Sequence, residues 1–430
     1  MAVQTAENLI EELRWRGLLH DITEGAEEAL AAGPVTAYIG FDPTADSLHV
    51  GSLLPIMVLV HLQRHGHTPI ALVGGGTGMI GDPSGKSNER TLLDEATLEH
   101  NLAGIRVQLE HFLEFDGVEN AALLVNNGDW LRKLSLIEFL RDTGKHFTVN
   151  YMVAKDSVKT RLAGESGISF TEFSYMLLQA YDFLALFRRH GCTFQMGGSD
   201  QWGNITAGTQ LIRRVEGEGA HGITVPLVTN ASGAKFGKSE AGTVWLDPAR
   251  TSPFRFYQYW LNTADEDVIS HLKFFTLLSR EEIEALAEQV EREPHLRAAQ
   301  QQLAEEVTRN VHGEDALAQA QRATDVLFGG DMAGLSAAEL LDIFAEVPSS
   351  TVERSALEGE GVPLVDLVKA AGFESSNKRA RQLIESGGLT VGGERAEDPY
   401  SSATTADAID GQVIVMRKGK RKYHLVRVEG

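Results

Sequence analysis

The segment at 35–65 constrains the fold of this chain more than any other. A short apolar run at 35–39 is typical of a buried strand, and a polar loop separates it from a helix expected to begin at His49. A helix start exposes backbone N–H groups and the positive end of the helix dipole. Gly51 lets a ligand approach this backbone closely, and the His49 side chain can donate hydrogen bonds to phosphate. The segment therefore predicts a strand–loop–helix unit that suits a nucleoside triphosphate.

Strand-like runs and amphipathic segments alternate along the first half of the chain. The short apolar runs lie at 35–39, 69–73, 122–126 and 192–196. This alternation is typical of an α/β fold with a parallel sheet. The stretch at about 90–190 is long and mostly helical in pattern, so we expect an insertion between two halves of the sheet. We predict a Rossmann-like domain at 1–230 that carries this helical connecting insertion.

The second half of the chain has a different pattern. Leu, Ala, Glu, Gln and Arg recur at helical spacing over about 250–345, which predicts an all-α domain at 231–348. A boundary is expected near 346–350, and a small α+β domain is predicted beyond it at 349–430. Its two short helices and three strands are expected at 363–371, 376–386, 389–391, 412–416 and 423–428.

Composition narrows the class of protein. A chain of 430 residues with 43% hydrophobic and 23% charged residues fits a soluble globular protein of two or three domains. The single cysteine, Cys192, excludes an intrachain disulfide framework and a cysteine-based zinc site. The chain has no apolar run of about 18 residues and no signal-peptide pattern at its start, so we expect a cytoplasmic protein without a membrane span.

The charge distribution leaves room for a nucleic-acid partner. The net charge of −21 argues against a generally basic surface, but a local basic cluster lies near the C-terminal end. That cluster consists of Arg417, Lys418, Lys420, Arg421 and Lys422.

A glycine-rich run at 74–81 contains a formal G-x-G-x-x-G pattern. A dinucleotide site would continue into a helix, whereas Pro83 follows here and disfavours helix at Asp82. The spacing to Lys86 also fails the P-loop pattern. A structural turn is the alternative, but so many glycines favour a loop that approaches a ligand, with Asp82, Lys86 and Arg90 as its charged groups.

Two further segments combine polar groups with apolar or glycine-rich surroundings. Tyr175, Gln179 and Asp182 share one face of a helix expected at 170–183, among apolar neighbours. A solvated stripe is the alternative, but the apolar neighbours favour a pocket that binds a small polar ligand. Gly198 and Asp200 follow a strand, where they suit a nucleotide and its ribose hydroxyls.

Lysines and histidines complete the candidates. The pentapeptide KFGKS at 235–239 lies in a loop rich in Gly, Ser and Ala, so its lysines could close over a triphosphate, although a solvated pair is the alternative.

His61, His65 and His67 have nearly the spacing of metal ligands, but no Glu or Cys supports them. We interpret them as exposed residues near a helix C-terminus and expect no protein-bound metal.

The tetrapeptide HVGS at 49–52 and the KFGKS segment resemble the two signature segments of the class I aminoacyl-tRNA synthetases. Other blocks resemble the bacterial tyrosyl-tRNA synthetase family in particular: YIGFDPTADSLH at 38–49, GDPSGK at 81–86, SYMLLQAYD at 174–182 and GGSDQWGN at 197–204. The part beyond residue 349 resembles an RNA-binding module shared with a small-subunit ribosomal protein. The resemblance spans nearly the whole chain. It implies that ATP, with Mg²⁺, activates L-tyrosine for transfer to tRNA(Tyr), and that the chain forms a homodimer through the helical insertion.

The resemblance also implies roles for matching residues. The phenolic hydroxyl of tyrosine would meet Tyr38 and Asp182. Its ammonium group would meet Asp82, Tyr175 and Gln179, and the same pocket would be lined by Asp42, Asn127 and Gln201. The residues in contact with ATP would be Gly40, Thr44, His49, Gly51, Gly198, Asp200, Lys235 and Lys238. The catalytic candidates are His49, Lys235, Lys238, Lys86 and Arg90, of which Lys86 and Arg90 would lie near the pyrophosphate or the tRNA acceptor end. The tRNA would meet Lys378, Arg379, Arg381 and the basic cluster.

One residue departs from the family pattern, and two alternatives stay open. Ser52 stands where the synthetase motif most often has His, and its hydroxyl is a shorter, neutral donor. A tryptophanyl-tRNA synthetase shares the fold, but its ligand has no phenol and the C-terminal module is not expected there. A non-catalytic RNA-binding relative is the other alternative. Pyrophosphate exchange with each amino acid separates all three.

Overall fold

A computed structural model of the chain describes residues 8–82, 93–164, 167–229, 236–239, 242–345, 347–419 and 422–430, and of Asp156, Ser157, Lys238 and Ser239 it describes the backbone. The chain divides into two compact units. The first consists of Met1–Thr251 and Tyr259–Val311, and the second of Ser252–Gln258 and His312–Gly430.

A parallel sheet forms the centre of the first unit. Within the described residues its strands are β1 (Thr36–Phe41), β2 (Thr68–Val73), β3 (Leu123–Asn126), β4 (Cys192–Gly198) and β5 (His221–Val225). They lie in the order β3-β2-β1-β4-β5, and every neighbouring pair is parallel. The predicted α/β class is confirmed, with each expected strand placed to within two residues.

The order of the strands locates the place where a ligand fits. The chain moves outward from β1 to β2 and β3, then returns to the other side of β1 as β4 and β5. In open parallel sheets, ligands bind beyond the carboxyl ends of the strands where this direction reverses. Here that point lies between β1 and β4.

Most of the remaining chain up to residue 343 is helical. In chain order the helices are α1 (Leu9–Arg16), α2 (Ala26–Ala31), α3 (Val50–Arg64), α4 (Glu95–Phe112), α5 (Gly128–Leu131), α6 (Leu136–Glu138), α7 (Val149–Val153), α8 (Asp156–Ala163), α9 (Phe170–His190), α10 (Trp202–Val215), α11 (Pro253–Leu261), α12 (Asp265–Phe275), α13 (Arg280–Arg292), α14 (Ala298–Leu327) and α15 (Ala337–Ile343). Helical geometry is broken inside α14 at Gly313, whose φ is 84°. The insertion expected at about 90–190 contains α4 to α9 together with β3, which pairs with β2.

Helix α9 illustrates how local sequence sets the elements that carry the site. Ser169 and Glu172 form a capping box at its start, and Gly191 ends it in the left-handed conformation with φ 62°. Its apolar side chains pack against the sheet, where the ring of Phe183 lies 5.4 Å from that of Tyr38. The helix is therefore fixed along its length, and so are the polar groups on its sheet-facing side.

The second unit contains a mixed sheet. The strands of this sheet are β8 (Ser349–Glu353), β10 (Leu389–Val391), β11 (Glu394–Ala396), β13 (Val413–Lys418) and β14 (Lys422–Glu429), and the helices that accompany it are α16 (Leu364–Ala370) and α17 (Asn377–Glu385). The same unit has a short strand pair formed by β9 (Val362–Pro363) and β12 (Ser402–Ala403). The first unit has another short pair, formed by β6 (Lys238–Ser239) and β7 (Gly242–Thr243). One core packs α16 and α17 on the sheet. A second core packs α15 and the end of α14 against β13 and β14, with Phe344 and Tyr423 in contact.

The three closely spaced histidines differ from expectation. His61 and His67 are buried, so the prediction that all three are exposed is wrong for these two. His61 lies on the core face of α3, and burial lowers its pKa well below the ordinary value. His67 accepts a hydrogen bond at Nδ1 from Val35 N–H, and His65 Nδ1 bonds to the carbonyl of His61. The rings of His65 and His67 therefore have partners within the protein, whereas Nε2 of the buried His61 has no hydrogen-bond partner among the described residues.

Among the described residues, no helix has the length and apolar character that a membrane span requires.

Candidate active site

A cavity of about 280 Å³ opens at the carboxyl ends of β1 and β4. The end of β1 contributes Tyr38 and Asp42, and the end of β4 contributes Gly198. Helix α9 covers the cavity from the side with Tyr175, Gln179 and Asp182, whose helical spacing places them on one face as predicted. All eight residues expected to line a tyrosine pocket do line this cavity: Tyr38, Asp42, Asp82, Asn127, Tyr175, Gln179, Asp182 and Gln201.

Asp182 is a buried carboxyl group held by two side chains. Trp130 donates its indole N–H to Oδ1 at 2.7 Å, and Asn127 donates its amide N–H to Oδ2 at 2.9 Å. Burial raises the pKa of Asp182 to about 7 in spite of these bonds. Asn127 is itself fixed, because its Oδ1 accepts from Gly76 N–H at 2.7 Å.

Tyr38 lies close to this carboxyl group. Its hydroxyl oxygen is buried and has no hydrogen-bond partner among the described residues. Burial, and then the charge of Asp182, raises the pKa of Tyr38 well above its ordinary value. A buried hydroxyl without a partner is costly, and a ligand hydroxyl placed beside Tyr38 and Asp182 would satisfy it.

A chain of amide groups leads to a second carboxylate. Gln179 Nε2 donates to Gln201 Oε1 at 3.2 Å, and Gln201 Nε2 donates to Asp82 Oδ2 at 2.6 Å. Asn204 Nδ2 lies between the two glutamines, 2.9 Å from Gln179 Oε1 and 3.1 Å from Gln201 Oε1. These bonds set the orientation of both amides and hold Asp82, a buried residue at the edge of the glycine-rich loop.

The charged residues in the described lining of the cavity are all acidic. Its described lining includes Asp42, Asp82, Asp182 and Asp200, and neither lysine nor arginine. Burial, and then the charge of Asp82, raises the pKa of Asp200. Such a lining favours a ligand with a cationic group, because a positive charge stabilises carboxylates that are buried close to one another.

The start of α3 has the features of an anion site. His49 is the N-cap residue, and its Nδ1 accepts from Gly51 N–H at 3.0 Å, so the ring proton resides on Nε2. A Cβ at Gly51 would lie 2.7 Å from His49 Cε1, so glycine here makes room for this ring. Ser52 N–H donates to the His49 carbonyl at 2.7 Å. Thr44, His49 and Gly51 lie outside the cavity lining, on the loop and helix start that follow β1.

The structure brings the described part of the KFGKS segment to this helix start. Val50 N–H donates to Val244 O at 3.0 Å, and Val244 N–H donates to Gly237 O at 3.1 Å. Gly237 has φ 81°, and a Cβ there would lie 3.1 Å from Val50 Cγ2. The backbone of Lys238 follows directly and pairs with Thr243. Three of the predicted residues, Lys86, Arg90 and Lys235, lie outside the described residues, and for Lys238 only the backbone is described.

The described glycines of the 74–81 loop are required mainly by neighbouring protein atoms. A Cβ at Gly75 would lie 2.1 Å from Asn126 Oδ1, and one at Gly76 would lie 2.9 Å from a methyl group of Leu131. These positions permit the loop to pack on β3 and α5. Gly74 is the described glycine of the run that lines the cavity.

The basic residues of the second unit fall into two groups. Lys378, Arg379 and Arg381 are exposed on or beside the start of α17. By contrast, Arg417 donates to Gly329 O at 2.9 Å, and Lys418 binds Glu374 Oε1 at 2.7 Å. Lys422 is exposed, with Nζ 5.6 Å from the ring centre of Phe373. Lys420 and Arg421 lie outside the described residues.

Some residues of the site were not identified from the sequence. They are Thr77, Trp130, Gln195 and Asn204. Trp130 and Asn204 contact site residues through hydrogen bonds whose partners are distant in sequence or on another element. Gln195 lines the cavity, and its buried Oε1 has no partner among the described residues. A polar residue inside the apolar run at 192–196 was the available signal for Gln195.

Comparisons with known proteins agree with this geometry. A family model described as tRNA synthetases class I (W and Y) matches residues 30–329, and one described as the tyrosine–tRNA ligase SYY-like C-terminal domain matches 339–426. The chain is 56% identical to a tyrosine–tRNA ligase of Roseiflexus castenholzii, over 98% of this chain and 99% of the relative. It is 54% identical to that of Geobacillus kaustophilus, with the same coverage. A truncated mitochondrial tyrosyl-tRNA synthetase of Aspergillus nidulans has a similar structure, with TM-score 0.69 and 32% identity over 75% of this chain and 95% of that one.

The protein is thus of the class I tRNA synthetase type, with a helix start that has the features of an anion site and a pocket at the switch point of a parallel sheet. The chain belongs to the class I tRNA synthetases of the tryptophan and tyrosine group, and within that group to the tyrosine–tRNA ligases.

Proposed function

We propose that this chain activates L-tyrosine with ATP and transfers the tyrosyl group to the terminal ribose of tRNA(Tyr). The observation that carries the proposal is the pair formed by the unpartnered Tyr38 hydroxyl and the buried Asp182 carboxyl group. Together they suit a ligand that carries a hydroxyl group at the end of an apolar body. The relatives named as tyrosine–tRNA ligases support the same choice over tryptophan.

The two ends of the cavity would bind the two ends of tyrosine. The phenol would bond to Tyr38 and Asp182, while the ammonium group would meet Asp82, Tyr175 and Gln179. Asp42, Asn127 and Gln201 would complete the lining. Phenylalanine would leave the buried Tyr38 hydroxyl unpaired, which costs about 1–3 kcal/mol, and would give Asp182 no partner beyond Trp130 and Asn127. Discrimination would thus arise from hydrogen bonding in the pocket.

ATP would bind between the start of α3 and the end of β4. Gly40, Thr44, Gly51, Gly198 and Asp200 would contact the nucleotide, and His49 Nε2–H would donate to its phosphates. Lys235 and Lys238 would approach the phosphates from the KFGKS segment, with Lys86 and Arg90 near the pyrophosphate or the tRNA acceptor end. Mg²⁺ would arrive with the nucleotide and neutralise phosphate charge.

The reaction then needs positioning and charge stabilisation by the protein. A carboxylate oxygen of tyrosine attacks the α-phosphorus of ATP in line, and the bond from that phosphorus to the bridging oxygen breaks, so pyrophosphate leaves with the electron pair. The oxygen of the terminal ribose hydroxyl of tRNA next attacks the tyrosyl carbonyl carbon and releases its proton to solvent. The bond from that carbon to the phosphate oxygen breaks, and AMP leaves with the electron pair. No protein side chain needs to act as a covalent nucleophile. The His49 and lysine donors stabilise the negative charge that develops on the phosphates.

The tRNA would meet basic residues of the second unit. Lys378, Arg379 and Arg381 are the described candidates with exposed side chains, and Lys422 is exposed as well. Contacts with phosphates would make binding dependent on salt concentration.

The chain would act as a cytoplasmic homodimer. The insertion exposes large apolar side chains on and near α6 and α7, namely Leu136, Ile137, Leu140 and Val149. A patch of this kind on a monomer favours association. Ile137→Asp would convert a dimer to a monomer in sedimentation experiments, whereas a wild-type chain that sediments as a monomer would contradict this assignment.

Tyrosine-dependent exchange of pyrophosphate into ATP tests the activity. The full-length chain is assayed with tyrosine, with tryptophan, with phenylalanine and with no amino acid. Exchange with tyrosine alone is expected. Exchange with tryptophan would favour the other specificity of the group, and no exchange with any amino acid would favour a non-catalytic RNA-binding protein.

A further inference from the structure

Phe236, in the KFGKS segment, lies in a pocket of aromatic side chains, which we call the aromatic socket. Its ring stacks on Phe275, with centroids 5.3 Å apart and planes 3° apart. The other members are His271 at 5.3 Å, Trp260 at 6.0 Å and Tyr259 at 6.2 Å. The socket is built from the end of α11 and from α12, so two helices hold the ring of Phe236.

Tyr259 does more in this socket than contribute a ring. Its hydroxyl oxygen accepts a hydrogen bond from Gly237 N–H at 3.1 Å. Burial raises the pKa of Tyr259 to about 12, so the hydroxyl stays protonated at physiological pH. Burial lowers the pKa of His271 to about 4, so the neighbouring imidazole is neutral in the same range. The contact with Gly237 is therefore a neutral hydrogen bond within an apolar environment.

This hydrogen bond is the first of a series that ends at the start of α3. The N–H of Gly237 donates to the Tyr259 hydroxyl, and the carbonyl of Gly237 accepts from Val244 N–H at 3.1 Å. The Val244 carbonyl in turn accepts from Val50 N–H at 3.0 Å. Val50 is the residue between His49 and Gly51, the two residues that form the anion site. Gly237, the residue before Lys238, is thus fixed relative to that site through both its N–H and its carbonyl group.

We propose that Tyr259 is a positioning residue for the lysine that follows Gly237. Its hydroxyl fixes the Gly237 peptide, and with it the backbone of Lys238, against the start of α3, where the triphosphate binds. The inference rests on the proposed function, because it assigns Lys238 to the phosphates of ATP. A phenylalanine ring would fill the same socket, so the hydroxyl group contributes position rather than packing.

Tyr259→Phe isolates that hydroxyl. The expected result is a three- to tenfold lower kcat for tyrosine-dependent pyrophosphate exchange, the loss typical of one neutral hydrogen bond. The KM for tyrosine should change by less than twofold, because the tyrosine pocket is untouched. The thermal midpoint should stay close to that of the wild type, because the ring remains in place.

Tyr423→Phe is the matched control. The Tyr423 hydroxyl also bonds to a backbone group, donating to Val326 O at 3.0 Å, but it belongs to the second unit, whereas the KFGKS segment belongs to the first. This variant should exchange pyrophosphate at the wild-type rate. A kcat for Tyr259→Phe within 1.5-fold of wild type, or equal losses in both variants, would overturn the positioning role.

A double-variant cycle tests the route through Lys238. In a Lys238→Ala background, Tyr259→Phe should lower the remaining kcat by less than twofold, since the side chain it positions is gone. A full three- to tenfold further loss would show that Tyr259 acts by another route and would contradict the proposal. A wild-type chain without any tyrosine-dependent exchange would instead refute the proposed function, so the two failures are distinguishable.

Discussion

Trp130 and Asp182 lie 52 positions apart in the sequence, and the indole N–H of Trp130 donates to the Asp182 carboxylate at 2.7 Å inside the buried end of the cavity. This bond, with that from Asn127, determines which way the carboxylate faces. Asp182 and Tyr38 both line the cavity, where the phenol of tyrosine would bind.

Trp130→Phe should weaken tyrosine recognition. The change removes the donor and leaves one buried lone pair of Asp182 without its partner, which costs about 1–3 kcal/mol. We expect the KM for tyrosine to rise about tenfold and the preference for tyrosine over phenylalanine to fall, with the KM for ATP unchanged. Exchange kinetics with both amino acids measure this. A rise of the two KM values together would point to general unfolding of the site.

The raised pKa of Asp182 should make stability depend on pH. Its folded pKa is about 7, and its ordinary value is 3.8, so between these values the folded protein holds a proton that the unfolded chain has lost. The stabilising effect is complete below about pH 4 and disappears as the pH rises through 7, on the order of 4 kcal/mol in total. Asn127 and Trp130 donate to the carboxylate, and Tyr38 and Asp42 are the other groups that interact with it electrostatically.

The comparison with Asp182→Asn isolates this effect. The thermal midpoint of the wild type should fall relative to that of the variant as the pH rises from 5 to 7. The difference between the two midpoints should stay constant above about pH 8. Parallel curves for the two proteins over that interval would show that Asp182 has an ordinary pKa in the folded state.

The sequence allowed much of the site to be predicted because periodicity and position suffice for some residues. Tyr175, Gln179 and Asp182 share a helix face at any orientation of the helix, and Tyr38 lies in a strand that its short apolar run identifies. Trp130 and Asn204 could not be placed, since their roles depend on contacts across the fold. The burial of His61 was missed for the same reason, because the face of α3 that is covered depends on the packing of β1, β2 and α12 against it.

The purpose of the glycines was also only partly predictable. Their number in the 74–81 loop indicates close approach, but the atoms that approach Gly75 belong to Asn126 of the protein itself. Gly51 is similar, since the neighbouring atoms are those of the His49 ring. A glycine in the sequence indicates that space is needed beside that residue, whereas the structure shows which group occupies the space.

Gly51→Ala should lower the rate of tyrosine activation through His49. A Cβ at this position would lie 2.7 Å from His49 Cε1, so the ring must leave its place on the Gly51 N–H. We expect kcat to fall at least tenfold, about 1.4 kcal/mol, with the KM for tyrosine unchanged. Gly219→Ala is the control, because nothing lies within 4 Å of a Cβ there. An active Gly51→Ala enzyme would show that His49 does not need this ring position.

Arg16 should stabilise the first unit strongly. It is buried on α1, and its guanidinium donates to the backbone carbonyls of Lys273, Thr276 and Leu278 at the end of α12, at 2.8–3.0 Å. Arg16→Met leaves these carbonyls and the partner Glu12 without donors, so we expect a loss of about 3–5 kcal/mol in the free energy of unfolding.

Arg14→Met on the same helix is the control for this prediction. Its ion pair with Glu27 is exposed, with 55% and 46% of the two side chains accessible, so its loss should cost less than about 1 kcal/mol. Thermal midpoints of the two variants measure the difference. Equal midpoints would mean that the carbonyls at the end of α12 find other donors when Arg16 is absent.

The basic residues of the second unit should separate into binding and structural groups. Lys378→Ala and Arg379→Ala remove exposed charges, so each should weaken tRNA binding and lower the slope of log affinity against log salt by about 1. Lys418→Ala breaks the bonds to Glu374 and Phe373 O, so it should lower the thermal midpoint and leave that slope nearly unchanged. Point variants are preferable to deletion from residue 350, because β13 and β14 cover Leu340 and Phe344 in a shared core. If Lys418→Ala lowers the salt slope as much as Lys378→Ala does, the ion pair with Glu374 opens when tRNA binds.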